Sequence, residues 1–297
     1  MSLLAACPAC GSAAALFCTA VDENRRVSSQ CFDYAQCGDC QLIFLPQAPT
    51  DLGRYYASEY YAIPVLAELQ AIARKDPNKI NLVRKFANSG RLLEIGSAFG
   101  VFAWQAKNAG FEVDAIEMDA RCCEFLRTLG VNAIQSDAPH AAIGALPPHQ
   151  VIAIWHVLEH LPQPFEFLQA AAANLAADGV LVIAMPNPQA FQFRWMGRHW
   201  PHLDAPRHLT LIPVNLLTRR LRALGLEPVY VTSDDSDARS WNRFGWQRLL
   251  MNRFRNRWLQ RAMFVLGYGL SWIMAPFDRR DFSGSAYTIV FKKKKPS

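Results

Sequence analysis

Three groups of side chains in this chain have the types and spacing that chemistry requires. The first is Cys7-Pro8-Ala9-Cys10 together with Cys37-Gly38-Asp39-Cys40. Two residues between cysteines let both thiolates face one ion, and two such knuckles complete a tetrahedral set. Zinc is the default metal for Cys7, Cys10, Cys37 and Cys40, with iron the alternative. Four thiolates leave no open position for water or substrate, so this metal would be structural. The second group is Glu94-Ile95-Gly96-Ser97-Ala98-Phe99-Gly100. It follows an apolar run, Leu92, Leu93 and Ile95, and precedes a helical stretch from Phe99 to Asn108. A strand, a glycine turn and a helix place backbone N–H groups and a positive helix end at the carboxyl edge of a sheet, where nucleotide-like ligands bind. The third group is His156-Val157-Leu158-Glu159-His160, with His208 further along. Histidines flanking a carboxylate at the end of a strand are candidates for proton transfer.

The spacing around Gly96 separates one ligand class from another. A dinucleotide site wants G-x-G-x-x-G, so that the backbone can approach a pyrophosphate. Here the pattern is Glu94-x-Gly96-x-Ala98-x-Gly100, and an acid two places before the first glycine suits a cationic amino acid head. S-adenosylmethionine carries an ammonium and a sulfonium and no phosphate. The stretch resembles motif I of the class I S-adenosylmethionine-dependent methyltransferases, with Ala98 in place of the usual middle glycine. Two further runs look like signatures of the methyltransferase domain 23-like subgroup. One is the HVLEH…P run from His156 to Pro162. The other is Pro186-Asn187, then Trp200, then Pro206-Arg207-His208-Leu209.

That resemblance covers nearly the whole chain and implies a Rossmann-like seven-stranded α/β sheet with helices on both faces. Its seventh strand would run antiparallel, between the fifth and sixth. Glu94, Gly96, Ser97 and Gly100 would lie at the methionine end of the cofactor. Glu117, at the end of the second strand, can accept hydrogen bonds from ribose hydroxyls. Asp137, after the third strand, would lie near the adenine. His208 or His160 would act as general base, with His156 bordering the methyl-transfer centre. Trp200, Arg207 and Tyr60 would face the acceptor, Arg207 positioning an anionic one and Tyr60 belonging to a lid. Gln150 stands where the family usually has an acid, which weakens one expected cofactor-side contact.

The elements that must position these groups follow from the pattern. Residues 1–46 read as a zinc ribbon and 47–90 as a helical linker or lid. From Arg91 strands alternate with helices, the mark of a doubly wound parallel sheet. This part, 91–297, contains a helical insert at 234–283. Cys18 and Cys31 read as small buried residues, and Cys122 and Cys123 as helix packing.

At 297 residues and 51% hydrophobic the chain is globular rather than disordered. The net charge of +6 is modest and concentrated in the insert and the tail. The start of the sequence lacks the pattern of a signal peptide, and eight cysteines without an export signal fit a reducing, cytoplasmic compartment. In the insert, tryptophans and phenylalanines mix with arginines over 241–280. The uncharged run from Ala262 to Phe277 is shorter than the roughly 20 residues that cross a bilayer. Such a segment suits either a peripheral contact with the inner face of an anionic membrane or packing in a homodimer. Nucleic acid is disfavoured, because the basic residues do not spread over a whole face.

The expected activity is methyl transfer from S-adenosylmethionine to a small-molecule, sugar or lipid-linked acceptor. The alternatives are an RNA methyltransferase with a zinc-ribbon RNA reader and a non-catalytic, cofactor-binding interaction protein.

Overall fold

The computed structural model describes residues 3–56 and 62–293. Tyr60, expected to face the acceptor, lies outside the described residues. The chain begins with β1 (Leu3–Ala6), β2 (Ala13–Ala20), β3 (Phe32–Cys37) and β4 (Ile43–Phe44), then α1 (Leu66–Lys75) and α2 (Asn78–Val83). The alternating part runs β5 (Gly90–Ile95), α3 (Val101–Asn108), β6 (Phe111–Glu117), α4 (Ala120–Thr128), β7 (Asn132–Gln135), α5 (Pro139–Ala142), β8 (His149–Trp155), α6 (Pro164–Asn174) and β9 (Leu175–Pro186). It continues through α7 (Phe191–Met196), β10 (Thr210–Leu211), α8 (Val214–Ala223), β11 (Leu226–Thr232), α9 (Ser236–Met251), α10 (Arg257–Asp278) and β12 (Ala286–Lys293).

Seven strands form one sheet in the order β11-β12-β9-β8-β5-β6-β7. The pairs among β5 to β9 are parallel, while β12 is antiparallel to both β9 and β11. This is the expected placement of the last strand between the fifth and sixth. Alternation along the central strands divides the core. Leu93, Ile95, Ile152, Ile154, Leu181 and Ile183 pack with Phe167 and Leu168 of α6 and Leu217 and Leu221 of α8. Leu92, Val151, Ala153, Val180 and Val182 face the other way, against Phe102 and Ala106 of α3 and Leu126 of α4. Strands covered on both faces explain why these runs read as continuously apolar. Each fully buried aliphatic side chain contributes about 1.5–3 kcal/mol of transfer free energy.

The second sheet is antiparallel, in the order β1-β2-β3-β4-β10. Its fifth strand is borrowed. Thr210 and Leu211 pair with Phe44 and Ile43, and Leu45 N–H donates to the Leu209 carbonyl. The ribbon's sheet therefore extends beyond 1–46 into the segment after β9. Cys7, Cys37, Cys40, Leu42 and Phe44 join the same apolar cluster as one face of the large sheet. Cys122 and Cys123 are buried, as expected. Cys31 is exposed and Cys18 only half-buried, so neither is the buried filler anticipated.

The insert forms two helices, α9 and α10, packed on each other. Gly267 makes the close crossing, since a Cβ there would meet the Gln247 Cα at 2.5 Å. No helix among the described residues is long and apolar enough to cross a membrane.

Candidate active site

The cofactor edge is built where β5 and β6 end. Gly96 has φ +70° and Gly100 φ +85°, in the left-handed region. Gly96 has a second reason to lack a side chain, because a Cβ there would lie 2.4 Å from Val157 Cγ2. The glycine turn and the histidine turn after β8 thus interlock. Ala98 adopts φ +48°, a conformation that costs a residue with a Cβ roughly 1–2 kcal/mol.

Glu117 is buried at the end of β6. Its carboxylate accepts from Ala98 N–H at 2.8 Å, Met118 N–H at 2.8 Å and Asp119 N–H at 3.0 Å. Glu117 therefore holds the glycine turn in shape. Asp119 caps α4 by accepting from the N–H groups of Arg121 and Cys122. Glu94 Oε2 and Ser97 Oγ are buried without a hydrogen-bond partner. Burial pushes the Glu94 carboxyl up to about 7, against the pull of Lys79. Two orphaned polar atoms beside a glycine turn are what a ligand's cationic and donor groups would satisfy. Asp137 is exposed just beyond the end of β7. Gln150 sits at the amino end of β8, bonded to the Asp178 carbonyl, so the expected loss of a cofactor-side contact there does not arise.

The three histidines come together beside a cavity of about 690 Å³. His156, His160, His202 and His208 line it, with Asn24 and Arg25 from the ribbon and Trp241, Phe244 and Arg248 from α9. His156 follows β8 with φ +55° and lies flat on Trp241, ring centroids 3.9 Å apart. Its Nε2 bonds Asp237, and its Nδ1 lies 3.7 Å from Glu159 Oε1. Burial works to lower the basicity of His156, but the Asp237 carboxylate outweighs it and raises the value to about 9.

Glu159 is fully buried, and neither carboxylate oxygen has a hydrogen-bond partner. Burial opposes its charge, yet the surrounding histidines hold its pKa below the ordinary carboxylate range. His208 Nε2 stands 4.0 Å from Glu159 Oε1, and its Nδ1 bonds the His202 carbonyl at 2.8 Å. His160 Nδ1 lies 2.9 Å from the Arg207 carbonyl and 2.8 Å from the Tyr56 hydroxyl. Burial, aided by His208, lowers His160 to about 4.

Long-range ties bring His208 here. Leu209 N–H donates to the Glu159 carbonyl at 2.7 Å, and the Tyr34 hydroxyl of β3 donates to the His208 carbonyl at 2.8 Å. The ribbon is thus one of the elements that position the histidine cluster.

Two expectations change. Arg207 is fully buried, its Nη2 2.7 Å from both Asp22 and Asp204 and its Nε 2.8 Å from Asp204. It locks the ribbon to the loop before β10, and its charge is already matched, so it cannot position an anionic acceptor. Trp200 is buried, stacked on Phe193 at 4.6 Å and edge-on to His202 at 5.2 Å. It anchors the loop from below and does not line the cavity. Conversely, Asp237, Trp241, His202 and Glu159 have parts in the site that were not assigned from sequence. Trp241 was visible only as one of the aromatics of the insert.

The four sulfurs of Cys7, Cys10, Cys37 and Cys40 all lie within 4.8 Å of one another. Cys7 Sγ and Cys40 Sγ are 3.5 Å apart, as are those of Cys10 and Cys37. The arrangement is compatible with zinc.

Residues 66–231, more than half of the chain, match the model of a methyltransferase domain family. The chain belongs to that family. It is a class I S-adenosylmethionine-dependent methyltransferase. It is similar to a ubiquinone biosynthesis O-methyltransferase of Bordetella parapertussis, 26% identical over 178 residues, which cover 54% of this chain and 73% of the relative. The corresponding protein of Bordetella pertussis is 24% identical over 177 residues, covering the same shares. Among solved structures, a methyltransferase from Archaeoglobus fulgidus has a TM-score of 0.51 at 19% identity, covering 76% of this chain and 94% of that one. A putative sarcosine dimethylglycine methyltransferase from Galdieria sulphuraria has a TM-score of 0.51 at 14% identity, covering 76% and 86%. These two share the fold with this methyltransferase.

S-adenosylmethionine, when bound, supplies a methyl carbon made electrophilic by the sulfonium. The glycine turn, the orphaned Glu94 and Ser97 atoms and the acid ending β6 fit such a ligand. Glu94 and Ser97 would take its amino acid end, and Glu117, with oxygen lone pairs to spare, its ribose.

Proposed function

We propose that this enzyme transfers the methyl group to a hydroxyl oxygen of an apolar or lipid-linked small molecule. One observation carries this reading: the cavity of about 690 Å³ with a histidine wall and an aromatic wall, whose His156 directly precedes Val157, the residue on which Gly96 packs. The aromatic wall of Trp241 and Phe244 suits an apolar ring or chain, and Arg25 and Arg248 supply the cationic contacts that Arg207 does not. Proton removal is assigned to the histidine cluster. His208 is the group best prepared for it, because its Nδ1 is committed to a backbone carbonyl. That leaves Nε2 with a lone pair to accept a proton. His160 is the second candidate, and the Asp237–His156 pair orients the wall. The names of the Bordetella relatives agree with an oxygen acceptor. In this reading zinc fills the cysteine site as a structural ion.

The outer face of α10 favours a lipid-linked acceptor. Trp258, Val265, Leu266, Trp272 and Ile273 are all more than half exposed on it. Exposed arginines flank the helix, Arg253, Arg255, Arg257 and Arg261 at one end and Arg279 and Arg280 at the other. Apolar side chains bounded by cations suit the surface of an anionic bilayer.

The decisive experiment is calorimetric titration with S-adenosylhomocysteine, beside Glu117→Ala, followed by labelled methyl transfer to three acceptor panels. These are hydroxylated prenyl-type amphiphiles in anionic vesicles, free sugars, and short RNA. The reading expects micromolar cofactor binding that Glu117→Ala weakens, and transfer only in the first panel. Transfer to RNA or sugar would replace the acceptor class. Cofactor binding with no transfer in any panel would favour an interaction protein.

A further inference from the structure

We infer that Glu159, His160 and His208 form a second metal site, one for a divalent transition-metal ion, opening onto the acceptor cavity. It rests on the proposed reading only for its role, not for its existence.

Glu159 is a buried carboxylate in need of a partner. Its side chain has no exposed surface, and both its oxygens lack any hydrogen-bond partner. A buried carboxylate left in that state costs several kcal/mol or more, so native structures pair it or place it on a metal. His156 Nδ1, at 3.7 Å, is too far to be a hydrogen bond. The groups that converge on Glu159 are imidazoles. One donor atom from each of Glu159, His160 and His208 lies within 4.8 Å of the others.

The imidazoles are oriented as ligands. His208 Nδ1 is held by the His202 carbonyl and His160 Nδ1 by the Arg207 carbonyl. A ring whose outer nitrogen donates to a carbonyl presents its other nitrogen as a lone pair, which is how metal-binding histidines are held. Ligands at about 2.1 Å from a shared ion stand roughly 3–4 Å apart. The separation of 4.0 Å between His208 Nε2 and Glu159 Oε1 needs only a small closure to reach that.

Two imidazoles and a carboxylate suit zinc, manganese, iron or cobalt better than magnesium or calcium. Three protein ligands leave a coordination position open, and His160 and His208 both line the cavity. This distinguishes the site from the cysteine cluster, whose four thiolates close it. An acceptor hydroxyl filling the open position would lose its proton to water in the cavity, the bonding pair staying on oxygen. With the ion bound, His160 and His208 are ligands, and water takes over the proton-accepting role that the proposed function gives them in the metal-free site.

The test uses the full chain, zinc-loaded and freed of excess metal, titrated with Mn²⁺ and followed by electron paramagnetic resonance. Thiolates bind this ion poorly. The site predicts about one Mn²⁺ per chain, displaced by Zn²⁺, with imidazole nitrogen couplings in the spin-echo spectrum. Glu159→Gln and His208→Gln should each weaken Mn²⁺ binding by about 100-fold while S-adenosylhomocysteine affinity stays constant. If either variant fails to fold, the nitrogen couplings of the wild type decide the matter alone. No bound Mn²⁺ or Zn²⁺ beyond the cysteine site, bound Mn²⁺ without nitrogen couplings, or unchanged binding in both folded variants would overturn the inference. No second ion with methyl transfer intact would overturn this site and leave the proposed function standing. A bound ion without transfer to any hydroxyl acceptor would do the reverse.

Discussion

The glycine-turn edge and the histidine wall meet where Gly96 packs on Val157, but they are made in different ways. The edge comes from two neighbouring strands and the turns that follow them, residues 94 to 119. It is held by backbone geometry, left-handed glycines and a carboxylate that accepts three backbone N–H groups. The wall is assembled from four distant segments: the ribbon, the turn after β8, the loop before β10, and α9. It is held by buried ion pairs and side-chain bonds such as Asp22–Arg207–Asp204 and Tyr34–His208. A site made of local structure survives the loss of a distant element, and a site made of long-range contacts does not.

The strongest way to break this contrast is to empty the cysteine cluster. Binding of zinc to such a set is worth on the order of 10 kcal/mol and is coupled to folding. Cys40→Ser, or treatment with a strong chelator, should release β4 and hence β10. Methyl transfer should then be lost while calorimetry still finds S-adenosylhomocysteine bound. Equal loss of both would show that the two regions are one cooperative unit.

Arg207→Met probes the same joint more gently. It leaves Asp22 and Asp204 without their partner in a buried place, which costs about 3–5 kcal/mol. Chemical denaturation should show that loss. At a temperature where the variant remains folded, transfer should fall far more than cofactor affinity.

The edge has its own signature, in pH. Glu94 is raised from 4.5 to about 7 by burial. A raised acid stabilises the fold fully below its unfolded value, and that contribution is lost as pH rises through its folded value. Without cofactor, stability should therefore decline from about pH 4.5 to pH 7, by roughly 3 kcal/mol in all. Glu94→Gln should flatten this segment of the profile measured by urea unfolding. A ligand bearing an ammonium should restore stability at the upper end in the wild type and not in the variant. An unchanged slope in Glu94→Gln would show that another group carries it.

The same contrast explains what could be read from residues alone. The seven-stranded sheet was legible because strands buried on both faces are continuously apolar and the strand-helix alternation is regular. The cysteine pairs and the glycine turn were legible because their chemistry depends on short spacing. Arg207 and Trp200 were misplaced because adjacency to His208 in sequence says nothing about which way a side chain points in an irregular loop. Arg207 finds Asp22, a partner far away in the ribbon that no periodicity marks. Asp237 and Trp241 escaped for the same reason, since only the docking of α9 brings them to His156. Glu159 lay inside a recognised run, but its isolation among imidazoles is a property of packing.

Ala98 gives the smallest and sharpest test of the edge. It occupies the middle position of the glycine turn at φ +48°, where its N–H donates to Glu117 at 2.8 Å. A residue with a Cβ pays about 1–2 kcal/mol there, and glycine pays back about 0.5–1 kcal/mol in unfolded-chain entropy. Ala98→Gly should therefore stabilise the protein by about 0.5–1 kcal/mol in denaturant titration. Because the bond to Glu117 is made by the backbone, it survives the change, and cofactor affinity should hold or rise. The wall should not respond, so the pH profile of transfer and its dependence on added metal should be those of the wild type. A change in either would mean that the turn transmits strain to His156 through the Gly96–Val157 contact, where the two regions meet.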